Sequence, residues 1–224
     1  MAKAAIKKRW CRLIAPALFQ QRELGETPFI DAATLPGKTI TANLAILTDE
    51  MRRQNTEVTF LIEKAEGDTA ATSVIGLRLM PTSLRRFVRK GRSRLDEVLT
   101  AVTSDDKVVT IKVLLLTQSI VTGAIKSSIH AQLRQFLLKK ITQSTYDALT
   151  EEVVSGKIHK EIRTKLKKTY PVKTSEILGF KLERFMKSSD LKKLKDTNKR
   201  ESEKKEEVPE EPVQEEQIEQ SESL

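Results

Sequence analysis

RLDEVLTAVTSDDKVVTIKVLLLT, residues 94–117, holds two runs rich in β-branched and apolar residues, Arg94–Val102 and Lys107–Thr117. Between them lies Ser104-Asp105-Asp106, turn chemistry that predicts a β-hairpin. The second run is apolar enough to be a central strand, covered on both faces. Working upstream, Ala71–Leu79 is β-branched, and Glu57–Ala65 alternates Val58, Phe60 and Ile62 with Thr59 and Glu63. These predict two antiparallel strands joined through Glu66-Gly67-Asp68. A further strand is expected over Thr39–Leu47, after the turn-like Pro36-Gly37. Pro81 ends the β run, and Thr82 or Ser83 is placed to cap a short helix with Leu84, Phe87 and Val88 on one face.

Downstream the period changes from two to helical. Ile129, Leu133, Phe136, Leu137 and Ile141 form the stripe of an amphipathic helix starting near Ala124. Two shorter helices, Ser144–Val154 and Lys157–Lys168, are expected on either side of Ser155-Gly156. Tyr170-Pro171 ends the second, because the residue before proline is pushed out of the helical region. A last strand is expected over Val172–Leu182. The fold class is therefore α+β, an antiparallel sheet or barrel-like core with flanking helices.

The ends of the chain read differently. Residues 1–25 lack sustained periodicity and are expected to form an extended basic arm that packs Trp10 and Phe19 on the body. Residues 26–184 are expected to be a single α+β domain. From 185 to 224 the apolar content collapses into a basic and then an acidic segment, which predicts a flexible charged tail.

Charge is sorted along the chain. Residues 201–224 hold ten Glu against two Lys, whereas residues 1–200 hold 38 Lys and Arg against 21 Asp and Glu, a balance of +17. A surplus of that size sets up a lasting positive potential that favours polyanions, nucleic acid first. The single Cys11 has no disulfide partner and suits a reducing compartment. The longest apolar run, around Val113 to Leu116, is far short of the ~20 residues of a membrane helix. Neither a membrane nor a secreted setting is expected.

Six of the ten residues from Arg85 to Arg94 are basic and none is acidic: Arg85, Arg86, Arg89, Lys90, Arg92 and Arg94. Like charges at helical spacing repel, and arginine forks grip phosphate oxygens with paired hydrogen bonds. A partner is therefore expected to supply the missing counter-charge. A second basic surface is expected from Lys157, Lys160, Arg163, Lys167 and Lys168, which Ile158, Ile162 and Leu166 force outward, with Lys173 just beyond. Arg9, Trp10 and Arg12 are the candidates in the arm. Aromatic residues make up only 4% of the chain, so contacts are expected at phosphate and sugar rather than at bases.

Catalytic chemistry has little to stand on. His130 and His159 with Cys11 match no zinc spacing, and Asp105-Asp106 is turn chemistry before it is a magnesium site. No Gly-rich phosphate loop, GxSxG or HExxH occurs. We expect no catalytic residue, metal, cofactor or small-molecule substrate.

Three blocks carry a family resemblance. They are Trp10 through Ala15-Pro16-Ala17-Leu18-Phe19 to Gly25, then Leu84 to Asp96, then Gly156-Lys157-Ile158 through Lys167-Lys168-Thr169-Tyr170-Pro171-Val172-Lys173 to Glu176-Ile177. With the strands between them, the chain over about residues 7–184 resembles the archaeal and eukaryotic small-subunit ribosomal protein family called S-three-a in the older naming and S-one-e in the newer. The likeness is closer to archaeal members. It departs from the family at the hairpin tip, where Asp105-Asp106 replaces Asp-Gly, and in Gln118–Ser128, where Lys126 is the only cation. The resemblance implies a cytoplasmic structural component of the ribosome's small-subunit platform near the mRNA exit. Its implied partners are small-subunit rRNA and neighbouring ribosomal proteins, with mRNA or initiation factors beyond them. The competing reading is a free-standing RNA-binding or RNA-chaperone module recruited through the acidic tail.

Overall fold

The computed structural model describes residues 9–183. The basic and acidic segments expected to form a tail lie outside the described residues. The predicted hairpin is present as β6 (Arg94–Val102) and β7 (Val108–Thr117), paired antiparallel from Arg94↔Leu116 to Val102↔Val108. The Thr103 N–H donates to the Lys107 carbonyl, and the Asp106 N–H to the Thr103 carbonyl. Asp106 takes φ +58°, the left-handed position that favours glycine, so the Asp-Asp tip forms a tight turn with an aspartate in the strained place. β7 is central as expected. Its far side pairs with β8 (Val172–Glu183), and Val109, Ile111, Val113, Leu114 and Leu115 are all fully buried.

The upstream strands are β4 (Thr56–Glu66) and β5 (Thr69–Leu79), antiparallel around Gly67 at φ +62°. β4 occupies one edge of β5 along its whole length. The other edge is shared: β8 pairs with Gly76–Arg78, and β1 (Arg9–Ile14) pairs with Thr69–Ala71. Gly76 is required where β8 passes, because a Cβ there would run into the Phe180 carbonyl oxygen. The β1–β5 pair is parallel, so the sheet is mixed rather than antiparallel throughout. Its main path runs β2-β1-β5-β8-β7-β6, with β2 (Glu23–Phe29) at one end and β3 (Thr39–Asn43) attached through β4. β2 and β6 are not paired to each other, so the sheet stays open instead of closing as a barrel.

Two expectations are corrected at the N-terminal side. Residues 9–14 and 23–29 are paired strands rather than an arm lying on the body. Cys11 and Leu13 are buried with Phe29, Leu35, Ile62 and Ala70, a small second core that helical periodicity could not reveal because the strand is short. Phe19 does pack inward, edge-on to Phe60 at 5.6 Å, but Trp10 is 60% exposed. The strand expected over 39–47 stops at Asn43, whose Oδ1 accepts the Ala45 N–H and starts helix α1 (Leu44–Thr48).

Helix α2 (Pro81–Phe87) begins at Pro81 itself, with Met80 as its cap, so proline opens the helix instead of only closing the strand. Val88 then leaves the helix and is exposed. Helices α3 (Gly123–Gln143), α4 (Tyr146–Ser155) and α5 (Lys157–Leu166) follow as expected, and Gly156 at φ +73° makes the break between the last two. Ile129, Leu133, Leu137 and Ile141 of α3 join Leu149, Ile158 and Ile162 over the sheet residues Ile111, Leu115 and Phe180. Tyr146 stacks on Phe180 at 5.6 Å and donates its hydroxyl to the Val74 carbonyl. Burial pushes its phenol up to about 12.

Candidate nucleic-acid interface

The arginine-rich segment is built between two fixed points. At its start, Arg85 and Arg86 fall in the last turn of α2, where cations suit the helix dipole. At its end Ser93 is buried and locked. Its N–H donates to Thr117 Oγ1 at 3.0 Å, its carbonyl accepts the Thr117 N–H at 3.1 Å, and its Oγ accepts the Val121 N–H at 3.0 Å. Between those anchors Arg89, Lys90 and Arg92 ride a short loop turned by Gly91 at φ +83°. Arg85, Arg86, Arg89 and Lys90 are exposed, and Arg92 is half-buried. None of these five makes an ion pair or hydrogen bond with the described residues.

Arg94 behaves differently. Its Nη2 lies 2.6 Å from Asp96 Oδ2 and its Nε donates to Oδ1 at 3.0 Å, so its pKa is raised first by that hydrogen bond. The chain itself neutralises it. Arg12 likewise stands 3.9 Å from both Glu23 and Glu26 across the β1–β2 pair, a loose and exposed arrangement. Arg9 and Trp10 are exposed beside it on the same strand.

The second basic surface follows from α5. Ile158, Ile162 and Leu166 are buried, and Lys157, Lys160, Arg163, Lys167 and Lys168 all point outward, with Lys173 exposed on β8. The helix's only acid, Glu161, is turned inward to Lys140 of α3 at 3.2 Å, and Glu152 of α4 holds the same ammonium at 3.0 Å. Burial works against that lysine, but the hydrogen bonds and charges of Glu152 and Glu161 outweigh it and raise its pKa. The outward face of α5 is thereby left cationic.

A cavity of about 230 Å³ lies where α2 meets the start of α5, but none of the cations of the two basic surfaces lines it. Phe87 from α2, Gly156 and His159 from the start of α5, Arg52, Arg53 and Glu176 line it together. Arg52 and Arg53 were not singled out in the sequence; the only signal is their pairing in a polar loop. Arg53 donates to the Ser155 carbonyl at 3.2 Å and pairs with Glu50 at 2.6 Å. His159 donates Nδ1–H to the Ser175 carbonyl at 2.9 Å, and Ser175 Oγ donates back to the His159 carbonyl at 3.0 Å. Burial lowers the pKa of this imidazole, the Ser175 bond opposes that, and Arg163 and Arg53 add to the lowering. It is a packing histidine that ties α5 to β8. His130 is also structural, with Nδ1 2.7 Å from Glu97 Oε2 between α3 and β6. Asp105 accepts the Tyr146 N–H through Oδ2 and so stitches the hairpin tip to α4.

An open mixed sheet backed by helices thus carries an exposed segment of cations without counter-charges among the described residues. The family model of the ribosomal S3Ae family matches residues 3–185. The chain is 32% identical over 177 residues to small ribosomal subunit protein eS1 of Archaeoglobus fulgidus, covering 78% of this chain and 84% of that relative. The eS1 proteins of Saccharolobus islandicus and Methanothrix thermoacetophila are also 32% identical, over 76% and 79% of this chain and 82% and 83% of theirs. This chain belongs to the ribosomal S3Ae family, in an archaeal-type branch.

Proposed function

We propose that this protein is a structural constituent of the small ribosomal subunit in the cytoplasm, fastened to rRNA by phosphate and sugar contacts. The Arg85–Arg92 segment is its principal clamp and the outward face of α5 its second. The observation that carries this is a run of five cations, two ending α2 and three on the loop anchored at Ser93, lacking any counter-charge among the described residues. Lattices of phosphate fit such a loop, since paired hydrogen bonds from arginine need rigid presentation. A site on the subunit platform near the mRNA exit, beside other ribosomal proteins and within reach of mRNA or initiation factors, completes the proposal.

Two measurements test it. After a moderate-salt wash the protein should cosediment with small subunits; recovery mostly as free protein would instead favour the free-standing RNA-binding or RNA-chaperone module. Replacing Arg85, Arg86 and Arg89 together with Ala should weaken binding to unrelated RNAs about equally. It should also shallow the salt dependence by roughly 0.7–0.9 in log–log slope per lost phosphate contact. Loss confined to a single RNA sequence would show base reading.

A further inference from the structure

A groove of about 840 Å³ shares no lining residue with the arginine loop. Leu18, Leu61, Val74, Ile75 and Leu182 supply its apolar surface, and Leu18 is 37% exposed. Glu63, Asp147 and Glu151 line it as well, and none of the three makes an ion pair with the described residues. Lys107 is the groove's one cation, and its ammonium sits 5.0 Å over the Tyr146 ring. On a body with a surplus of +17 over residues 1–200, this is an acidic apolar surface, poorly suited to nucleic acid.

β8 runs straight to it. Leu182 forms part of the groove wall, and the described chain ends one residue later. The next twelve residues, 184–195, read RFMKSSDLKKLK: four apolar side chains, five cations and one acid. Twelve residues span at most about 40 Å when extended or about 18 Å as a helix, enough to lie along a groove that begins at their own root. Because the segment is tethered there, its local concentration is of millimolar order, and even weak complementarity holds it.

We propose that this groove is the seat of the chain's own residues 184–195, with Phe185 and Met186 covering its apolar surface and the lysines that follow facing Glu63, Asp147 and Glu151. The docked segment covers an apolar surface that would otherwise meet water. The proposal does not rest on the RNA reading, and its test contains no RNA.

The test uses the full chain carrying Ser188→Cys and a nitroxide label; Cys11 is fully buried and remains unlabelled. Amide signals of Leu18, Ser73, Ala148 and Thr150 should lose at least about half their intensity relative to the reduced label, as expected for tethered contact. Asp147→Lys with Glu151→Lys should restore them, while the melting temperature, a check on folding, stays within a few degrees because both sites are exposed. Broadening that is absent, spread evenly over the surface or unmoved by the charge reversal overturns the proposal. So does broadening seen only when labelled chain is mixed with isotopically labelled wild-type chain, which would make the occupant a second copy.

Discussion

Single residues set the limits of this fold. Gly76 is the clearest, since β8 crosses β5 so closely that only hydrogen fits. Gly76→Ala should cost roughly 1–3 kcal/mol in denaturant unfolding, the range for forcing an atom into a packed site. An unchanged midpoint would mean the strands move apart freely. His159 gives a pH signature. Its folded pKa lies below the ordinary 6.5, so its contribution is whole above that value. As pH falls the unfolded chain takes up the proton first, and stability declines toward the folded pKa. Glu176, in the same cavity, is shifted up from 4.5 by burial, with Arg163 opposing. In its case the folded state protonates first, returning some stability as pH nears 4.5. Thermal melts from about pH 7.5 to about pH 5.5 should therefore show a loss that His159→Asn, which keeps a donor for the Ser175 carbonyl, removes.

Among the elements, α5 separates structure from function most cleanly. Its inner face carries stability: Ile162→Ala should cost roughly 2–5 kcal/mol, because the site is fully enclosed between α3, α4 and the sheet. Its outer face should carry almost none. Lys157, Lys160 and Lys167 changed together to Ala should shift unfolding by less than about 1 kcal/mol, while RNA affinity at low salt falls severalfold. This division was legible in the sequence, since a period of 3.6 sorts Ile158, Ile162 and Leu166 from the lysines without further information. The fate of Glu161 was not legible. Lys160 precedes it and Lys165 lies four residues on, yet its partner is Lys140 of another helix, 21 residues away. The same holds for α2. Sequence marked a short helix near Pro81, but only packing decided that proline would begin it and that Ser93 would anchor the loop behind it.

At the scale of the molecule, the unpaired cations repel one another and a bound polyanion should relieve that. A short RNA duplex should raise Tm by several degrees at low salt, and the gain should vanish near 1 M salt, because ligand binding to the folded state alone stabilises it. A Tm that is blind to RNA would mean that the positive surface is already compensated. The sequence by itself determined the α+β class, the central β7, the three helices after residue 123 and the segregation of charge, because each is written in local period and composition. Tertiary structure alone decided that residues 9–14 form a parallel strand beside β5, that the sheet stays open, and that Glu161 pairs with Lys140. It also decided that Arg52, Phe87 and His159 share one cavity. These outcomes depend on which distant edges and side chains meet, and strand pairing and ion pairing over long sequence separation leave no periodic trace in the chain.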